Sequence, residues 1–276
     1  MLIRELTLGA RISFYLALVI LAFWLVVTVV FTLDSTLSTT IDLSKMFDVP
    51  NDQAWFGRDD LGRKIGDRVL HGATTSITIA ISVVLITAIV GTVFGVCIAW
   101  FGRYVDLIGV GVIDIFLAFP GILLAIALAA VLGPGIDNVI IALVAVSWVG
   151  FARLARAQTL SVKKRDHVQI AIALGTRTTV IIRKHLLPLI AAPLIVEATF
   201  AVAAVIVAEA GLSFLGLGVQ PPTPSWGSMI KQGTQYLLIA PHMVMAPGVA
   251  LFSMVFAINI IGDRLRDRLK VKENNI

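Results

Sequence analysis

The feature that most constrains this chain is a series of apolar runs, each long enough to cross a lipid bilayer. Residues 12–33 carry no charged side chain over 22 positions, and residues 69–102 carry no Asp, Glu, Lys or Arg. About 20 apolar residues cross the hydrocarbon core as a helix, and a helix satisfies its own backbone hydrogen bonds there. The sequence therefore predicts an all-α, polytopic membrane protein with little length left for a soluble domain.

Composition supports a membrane protein and argues against a nucleic-acid-binding one. The chain is 58% hydrophobic and 14% charged, whereas soluble domains carry about 25% charged residues. Its net charge of +5 would suit nucleic acid, but the basic residues cluster beside apolar runs, as topology signals do. We therefore expect contact with membrane lipid and none with nucleic acid.

The sequence also lacks the residue patterns of an enzyme or a cofactor site. It contains no G-x-x-x-x-G-K-[ST] phosphate loop, so we expect no ATP site in this chain. The single cysteine, Cys97, cannot form an intramolecular disulfide, and the four histidines do not have metal-ligand spacing. With no nucleophile–base pattern either, the chain is expected not to be an enzyme and to bind no metal or cofactor.

We predict six transmembrane helices. The first, residues 12–33, is longer than the apolar stretch of a cleaved signal peptide, so we interpret it as a retained span. The other five lie at about residues 77–101, 107–132, 138–160, 189–215 and 241–261. In the second span, Gly91 and Gly95 form a G-x-x-x-G pair, which predicts close packing against another helix.

The distribution of Lys and Arg sets the orientation of these spans. With a cytoplasmic N-terminus, 16 of the 22 Lys and Arg residues fall on the cytoplasmic side and 6 on the external side. This bias predicts that both termini are cytoplasmic. The predicted organisation is a cytoplasmic N-terminus 1–11, a first transmembrane helix 12–33, an external loop 34–75, a core of five transmembrane helices 76–267 with cytoplasmic helices 166–188, and a cytoplasmic tail 268–276.

The segment Arg153–Pro188 is the most distinctive part of the cytoplasmic side. It holds eight basic residues against one acid, Asp166. Asp166 suits the start of a helix, Gly175 can turn the chain, and Thr176 can cap a second helix. Pro188 then ends or kinks that helix. The sequence thus predicts two short helices bent about a glycine.

Two interpretations of this helix pair are open on the residues alone. Exposed apolar side chains would suit a groove in a partner protein, and those available are Ile170, Ala171, Ala173 and Leu174. Alternatively, the helix lies on anionic lipid and is held there by Lys163, Lys164 and Arg165.

Residues 166–188 resemble the cytoplasmic "EAA" loop of ABC-importer permease subunits. Gly175 stands at the glycine of that loop and Leu187-Pro188 at its terminal Leu-Pro, although Gln169-Ile170-Ala171 replaces the usual Glu-Ala-Ala. Further motifs of the peptide and nickel permeases are matched, in the family's order, by residues 56–63 (FGRDDLGR), 212–222 (LSFLGLGVQPP), 226–227 (WG) and 259–267 (NIIGDRLRD). The chain is similar to the C-type subunit of the dipeptide, oligopeptide and nickel transporters.

This resemblance implies a type I ABC-importer permease fold that forms half of a translocation pathway. It implies a heterodimer with a homologous permease, two cytoplasmic ATPase subunits that use ATP and Mg, and an external solute-binding protein. The implied location is the plasma (inner) membrane of a prokaryote, with several spans. The expected ATPase-coupling residues are Asp166, Val168, Gln169, Ile170, Ala171, Leu174, Gly175, Leu187 and Pro188.

Three acidic residues fall within predicted spans, where charges are costly and commonly functional. Asp114 fits the pathway or a structural pair with Arg153 or Arg103, and Glu197 fits the pathway or a neighbouring helix. Glu209, near the external end, fits a gate or binding-protein contact, or a buried structural role. The candidates for the pathway or gate are Asp114, Glu197, Glu209 and Phe214.

The resemblance favours di- or oligopeptides as the cargo. Nickel or a metal–metallophore complex is the alternative on the same architecture. An ion-coupled secondary carrier using Asp114 and Glu197 is a third interpretation, and it predicts uptake that survives ATP depletion.

Overall fold

The computed structural model describes residues 8–33 and 40–273, and helices are the regular secondary structure of this part of the chain. A π-helical turn spans Ile182–Leu186. The helices are α1 Leu8–Leu33, α2 Ile65–Phe101, α3 Arg103–Leu117, α4 Gly121–Leu132, α5 Ile136–Val162, α6 Asp166–Ala173, α7 Thr178–Ile181, α8 Leu187–Leu215, α9 Trp226–Thr234 and α10 His242–Glu273. The predicted all-α class is confirmed.

Within the described residues, five stretches of helix are each long and apolar enough to cross a membrane: Arg11–Phe31, Ile65–Phe101, Ile136–Val162, Thr178–Leu215 and His242–Leu269. The predicted third span is instead the pair α3 and α4, bent by 80° at their junction. Pro120 causes the break, because proline lacks an N–H and disfavours helical backbone in the residue before it. The described part of the chain has six spans only if this bent pair counts as one.

Helix α2 lies at the centre of the bundle and packs along α5. A Cβ atom on Gly91 would lie 2.4 Å from the Trp148 carbonyl oxygen, and one on Gly95 would lie 2.2 Å from that of Ala152. These distances leave no room for a side chain, so the two glycines allow the backbones to approach closely. The packing predicted from the G-x-x-x-G pair is confirmed.

The predicted loop 34–75 ends earlier than expected, because α2 already begins at Ile65. Its residues 34–39 lie outside the described part of the chain, and residues 40–64 fold back against the start of α2. The first turn of α2 contains a buried charged residue, Arg68, which is only 3% exposed. Its burial is tolerated because its guanidinium group donates to the carboxylate of Asp59. We call the end of the bundle that carries residues 40–64 and α9 the opposite end, and the end that carries α6 and α7 the basic end.

Trp226 anchors the short helix α9 at the opposite end. Its side chain is fully buried and its Nε1–H donates to the Val69 carbonyl oxygen at 3.0 Å. Its ring meets Trp24 of α1 edge-on, with 5.1 Å between centroids. A Cβ on the next residue, Gly227, would lie 2.2 Å from the Ala210 carbonyl oxygen of α8. The Trp-Gly pair therefore ties α9 to three helices at once.

Candidate functional site

Helix α6 is attached to the basic end of the bundle by one apolar face. Val168 and Ala171 point inward and are 0% and 8% exposed. Their buried cluster is completed by Val96, Ala155, Val162, Ile181, Leu186 and Ile190. The expectation that Ala171 is exposed is wrong, because it lies one turn after Val168 on the face that meets the bundle.

The face of α6 that points away from the bundle is left uncovered by residues 8–33 and 40–273. Ile170 is 59% exposed and Leu174 is 79% exposed. Ala173 and Gly175 are exposed beside them. Large apolar side chains thus stand exposed on and just after a helix that is packed against the bundle on its other side.

Gly175 sets the bend after α6. Its φ is +72°, a left-handed conformation that glycine adopts freely. The Thr176 N–H then donates to the Ala171 carbonyl oxygen at 3.1 Å, which closes the helix end. A Cβ on Gly175 would meet nothing within 4 Å, so the backbone conformation, and not space, calls for glycine here.

The second predicted helix differs from expectation. Helix α7 starts at Thr178 with Arg177 as its N-cap residue, so the predicted cap at Thr176 is wrong. Pro188 does not end the helix; it lies in the first turn of α8. The π-helical turn before it explains why. Proline within a regular α-helix leaves one backbone hydrogen bond unmade and clashes with the carbonyl group four residues earlier, and the wider turn relieves both effects. The stretch 178–215 is thus one helical stretch with a local π turn.

Lys163 serves the bundle as well as the surface. Its ammonium group donates to the Trp100 carbonyl oxygen at 2.6 Å and lies 5.1 Å from the centroid of the Trp100 ring. The Gln169 amide in turn donates to the Lys163 carbonyl oxygen at 2.6 Å. Of the three cations proposed to hold α6 on lipid, Lys164 and Arg165 are the exposed ones. Gln169 stabilises the α5–α6 turn.

The ion pair between α3 and α5 is not the one expected. Arg156 forms two hydrogen bonds to the Asp106 carboxylate, at 2.6 and 2.8 Å. Within the described residues Asp114 has no ion pair within 4 Å, so the structural pair predicted with Arg153 or Arg103 is absent. Asp106 was missed because it lies in the first turn of α3, outside the predicted span.

Two of the acidic candidates line cavities beside α5. Asp114 and Arg153 line a cavity of about 710 Å³, and Glu197 lines one of about 430 Å³. Leu154 of α5 borders both. The candidate residues of α3 and α8 therefore lie on the two sides of one face of α5.

The remaining two candidates, Glu209 and Phe214, lie in the part of α8 that is nearest the opposite end of the bundle. Glu209 is fully buried and accepts hydrogen bonds from Ser76 at 2.8 Å and Ser213 at 2.7 Å. The Ser213 hydroxyl also accepts from the Val219 N–H at 3.1 Å. Glu209 thus connects α2, α8 and the loop after α8, which favours its structural interpretation. Phe214 is 42% exposed.

A buried charge cluster at the opposite end was not predicted as a unit. Asp59 is 1% exposed and accepts from the Arg63 side chain at 2.7 Å and from Arg68. Arg68 also donates to the Gln232 side chain of α9 at 3.0 Å. The signal was present in the motif FGRDDLGR, whose alternating charges and glycines suit a tight, ion-paired turn. The cluster joins residues 40–64, α2 and α9.

The sequence and the fold both match known proteins. Residues 91–272 match the family described as "Binding-protein-dependent transport system inner membrane component". The chain is 42% identical over 231 residues to the glutathione transport system permease protein GsiD of Escherichia coli O1:K1, covering 84% of this chain and 76% of that protein.

A second relative and a solved structure are also similar to this chain. The dipeptide transport system permease protein DppC of Alkalihalophilus pseudofirmus is 40% identical over 223 residues, covering 81% of this chain and 73% of that protein. An inward-facing structure of the MetNI methionine ABC transporter shares the fold, with a TM-score of 0.60 and 19% identity. That match covers 74% of this chain and 97% of the MetNI chain.

Proposed function

Because the chain belongs to the family of inner-membrane components of binding-protein-dependent transport systems, we propose that it is one permease subunit of an ATP-driven importer of short peptides. It is a multi-pass protein of the inner membrane. The relatives named for glutathione and dipeptide transport support peptides as the cargo.

The observation that carries the coupling role is the uncovered face of α6. Ile170 and Leu174 are exposed, while Val168 and Ala171 fix the helix to the bundle from the other side. An apolar helix face presented in this way suits a hydrophobic groove of a partner protein. We assign that partner as a cytoplasmic ATPase subunit, which supplies the ATP and Mg site that this chain lacks in sequence.

The helical stretch 178–215 gives this contact a mechanical route into the bundle. A push on α6 and α7 reaches α8 through Ile181, Leu186 and Ile190, which share the buried cluster of Val168. Helix α8 carries Glu197 in its middle and Glu209 near its far end. In the proposed cycle, closure of the two ATPases moves α8 relative to α5 and opens the pathway to one side at a time.

The proposal also assigns the other subunits. A homologous permease completes the pathway as the second half of a heterodimer, and an external binding protein delivers the cargo at the opposite end. Affinity purification in mild detergent should therefore recover a second permease, two ATPases and a binding protein carrying a peptide. A metal chelate on the binding protein would replace the peptide assignment with nickel or metallophore import.

The transport assay uses the purified complex in proteoliposomes, with peptide uptake and ATPase rate measured together. We expect uptake that requires ATP, and Leu174→Ser is expected to lower both rates at least about tenfold because the apolar contact is lost. Leu238→Ser is the matched control, since Leu238 is 99% exposed at the other end of the bundle. Uptake that survives ATP depletion would overturn the proposal in favour of an ion-coupled carrier.

A further inference from the structure

Three charged side chains lie well inside helices of the bundle. Counted from the helix ends at the basic end, Asp114 is 11 residues into α3 and Arg153 is 9 residues from the end of α5, while Glu197 lies 10 residues into α8, beyond the π-helical turn Ile182–Leu186. At 1.5 Å per residue, Asp114 and Arg153 are about 14–17 Å from those helix ends. This is about half of a 30 Å hydrocarbon core.

The three side chains converge on the same part of α5. Gly150 borders the larger cavity together with Asp114 and Arg153. A Cβ on Gly150 would lie 3.2 Å from the Glu197 Oε1 atom. The absence of a side chain at this position lets Glu197 reach the edge of the cavity that Asp114 and Arg153 line.

None of these three residues has an ion pair within 4 Å in the described part of the chain. Arg156, which borders the same cavity, is already neutralised by Asp106. An unpaired charge at the middle of a membrane is costly unless it faces water, a ligand or a partner. Arg153 and Asp114 are exposed from this chain, so they face the space outside it and not its interior.

We propose that Asp114, Arg153 and Glu197 form a transit site for the two charged ends of a short peptide. The Arg153 guanidinium binds the C-terminal carboxylate through paired hydrogen bonds, the geometry for which guanidinium is suited. Asp114 and Glu197 bind the N-terminal ammonium group. The cavity of about 710 Å³ falls within the usual range of small-ligand sites. This inference rests on the proposed function, because it assumes that peptides pass along this face of α5.

The test measures ATP-dependent uptake by the assembled transporter in proteoliposomes, with its binding protein. One tripeptide with uncharged side chains is supplied in three forms: free, C-terminally amidated and N-acetylated. The proteins compared are the wild type, Arg153→Gln, Glu197→Gln and the control Arg268→Gln, which removes an exposed arginine outside both cavities. Every sample contains the same binding protein. Its preference among the three peptide forms therefore cancels when the uptake rate of each variant is divided by that of the wild type.

We expect Arg153→Gln to lower uptake of the free and N-acetylated forms about tenfold, the effect of one charge-assisted hydrogen bond, and to spare the amidated form. Glu197→Gln should lower the free and amidated forms and spare the N-acetylated one. Arg268→Gln should change none of the three. Equal loss for all three forms, as expected if Arg153 pairs with the partner permease, would overturn the inference, and so would no loss at all.

Two further arms keep the inference testable. If the Arg153→Gln complex does not assemble, Arg153→Lys is measured instead. This variant keeps the positive charge but lacks the paired guanidinium donors, so uptake of the same two peptide forms should fall by a smaller factor. If the binding protein rejects the modified peptides, photoreactive versions of them are cross-linked to the complex in the absence of the binding protein. In the wild type we expect labelling of residues 103–162, and an excess of free peptide should suppress this labelling. Absent labelling contradicts the transit site. A wild type that imports no peptide refutes the proposed function itself, whereas ATP-dependent import without charge selectivity refutes only the site.

Discussion

Asp59 shows how one residue can hold a whole end of the bundle. Its buried carboxylate faces two guanidinium groups, those of Arg63 and Arg68, and accepts backbone N–H groups of Leu61 and Arg63 at 3.0 and 2.9 Å. Removing one partner of such a cluster leaves buried charge without compensation, which costs more than the cluster itself contributes.

We therefore expect Asp59→Asn to destabilise the protein by about 3 kcal/mol. The measurement is the midpoint of thermal unfolding of the purified chain in mild detergent. Asp60→Asn is the control, because Asp60 is partly exposed and its contact with Arg63 is 3.6 Å long. A fall in midpoint that is equal for both variants would contradict the role given to Asp59.

At Gly175 the prediction concerns coupling and not stability. Proline fixes φ near −65°, which is incompatible with the observed +72°. Gly175→Pro should leave membrane insertion intact but abolish both uptake and the stimulation of ATPase activity by loaded binding protein. Gly175→Asn is the matched variant, since asparagine tolerates left-handed backbone, and it should retain most of the stimulation. Stimulation retained in Gly175→Pro would show that the bend is not needed for coupling.

Among the helices, α2 and α5 pack closely, and this contact depends on small residues. Gly95→Ala would place a methyl group 2.2 Å from the Ala152 carbonyl oxygen, so the helices must separate. Overpacking of this kind costs about 1–3 kcal/mol, and the unfolding midpoint of Gly95→Ala should fall accordingly. Gly211→Ala is the control, because a Cβ there meets nothing within 4 Å. It should be neutral or slightly stabilising, as alanine is the better helix former.

The sequence predicts elements well where a rule is local. Apolar length predicts the five unbroken spanning stretches of the described residues, the G-x-x-x-G spacing predicts the α2–α5 contact, and Gly175 predicts the bend after α6. It fails where the cause lies far along the chain. The start of α2 at Ile65 depends on Asp59 and Gln232 satisfying Arg68, and a run of charges in the sequence carries no sign of that.

The same limit applies to the candidate site. The sequence identifies Asp114 and Glu197 as costly charges within spans, but their convergence on Gly150 is set by how α3, α5 and α8 pack. Arg153 reads in sequence as an ordinary basic residue near a helix end. Its lack of an ion pair among the described residues becomes visible only once Asp106 is seen to neutralise Arg156.

On the scale of the whole molecule, the two ends of the bundle have different surfaces. The basic end presents the exposed face of α6 that points away from the bundle. The exposed cations Lys164 and Arg165 lie beside this helix. The opposite end presents residues 40–64 and α9, tied together by the Asp59 cluster. The charge bias along the sequence predicts that the basic end is cytoplasmic, and the coupling role proposed for α6 requires the same orientation.

This orientation can be tested with single cysteines, because Cys97 is the chain's only one. In a Cys97→Ser background, Leu238→Cys should react with a membrane-impermeant maleimide in intact spheroplasts, since Leu238 lies at the opposite end and is 99% exposed. Leu174→Cys, at the basic end, should react only after the membrane is permeabilised. Adding the ATPase subunits should then slow labelling at position 174 and leave position 238 unchanged, because only α6 becomes covered. Labelling of Leu174→Cys in intact spheroplasts would reverse the orientation and remove α6 from the reach of a cytoplasmic ATPase.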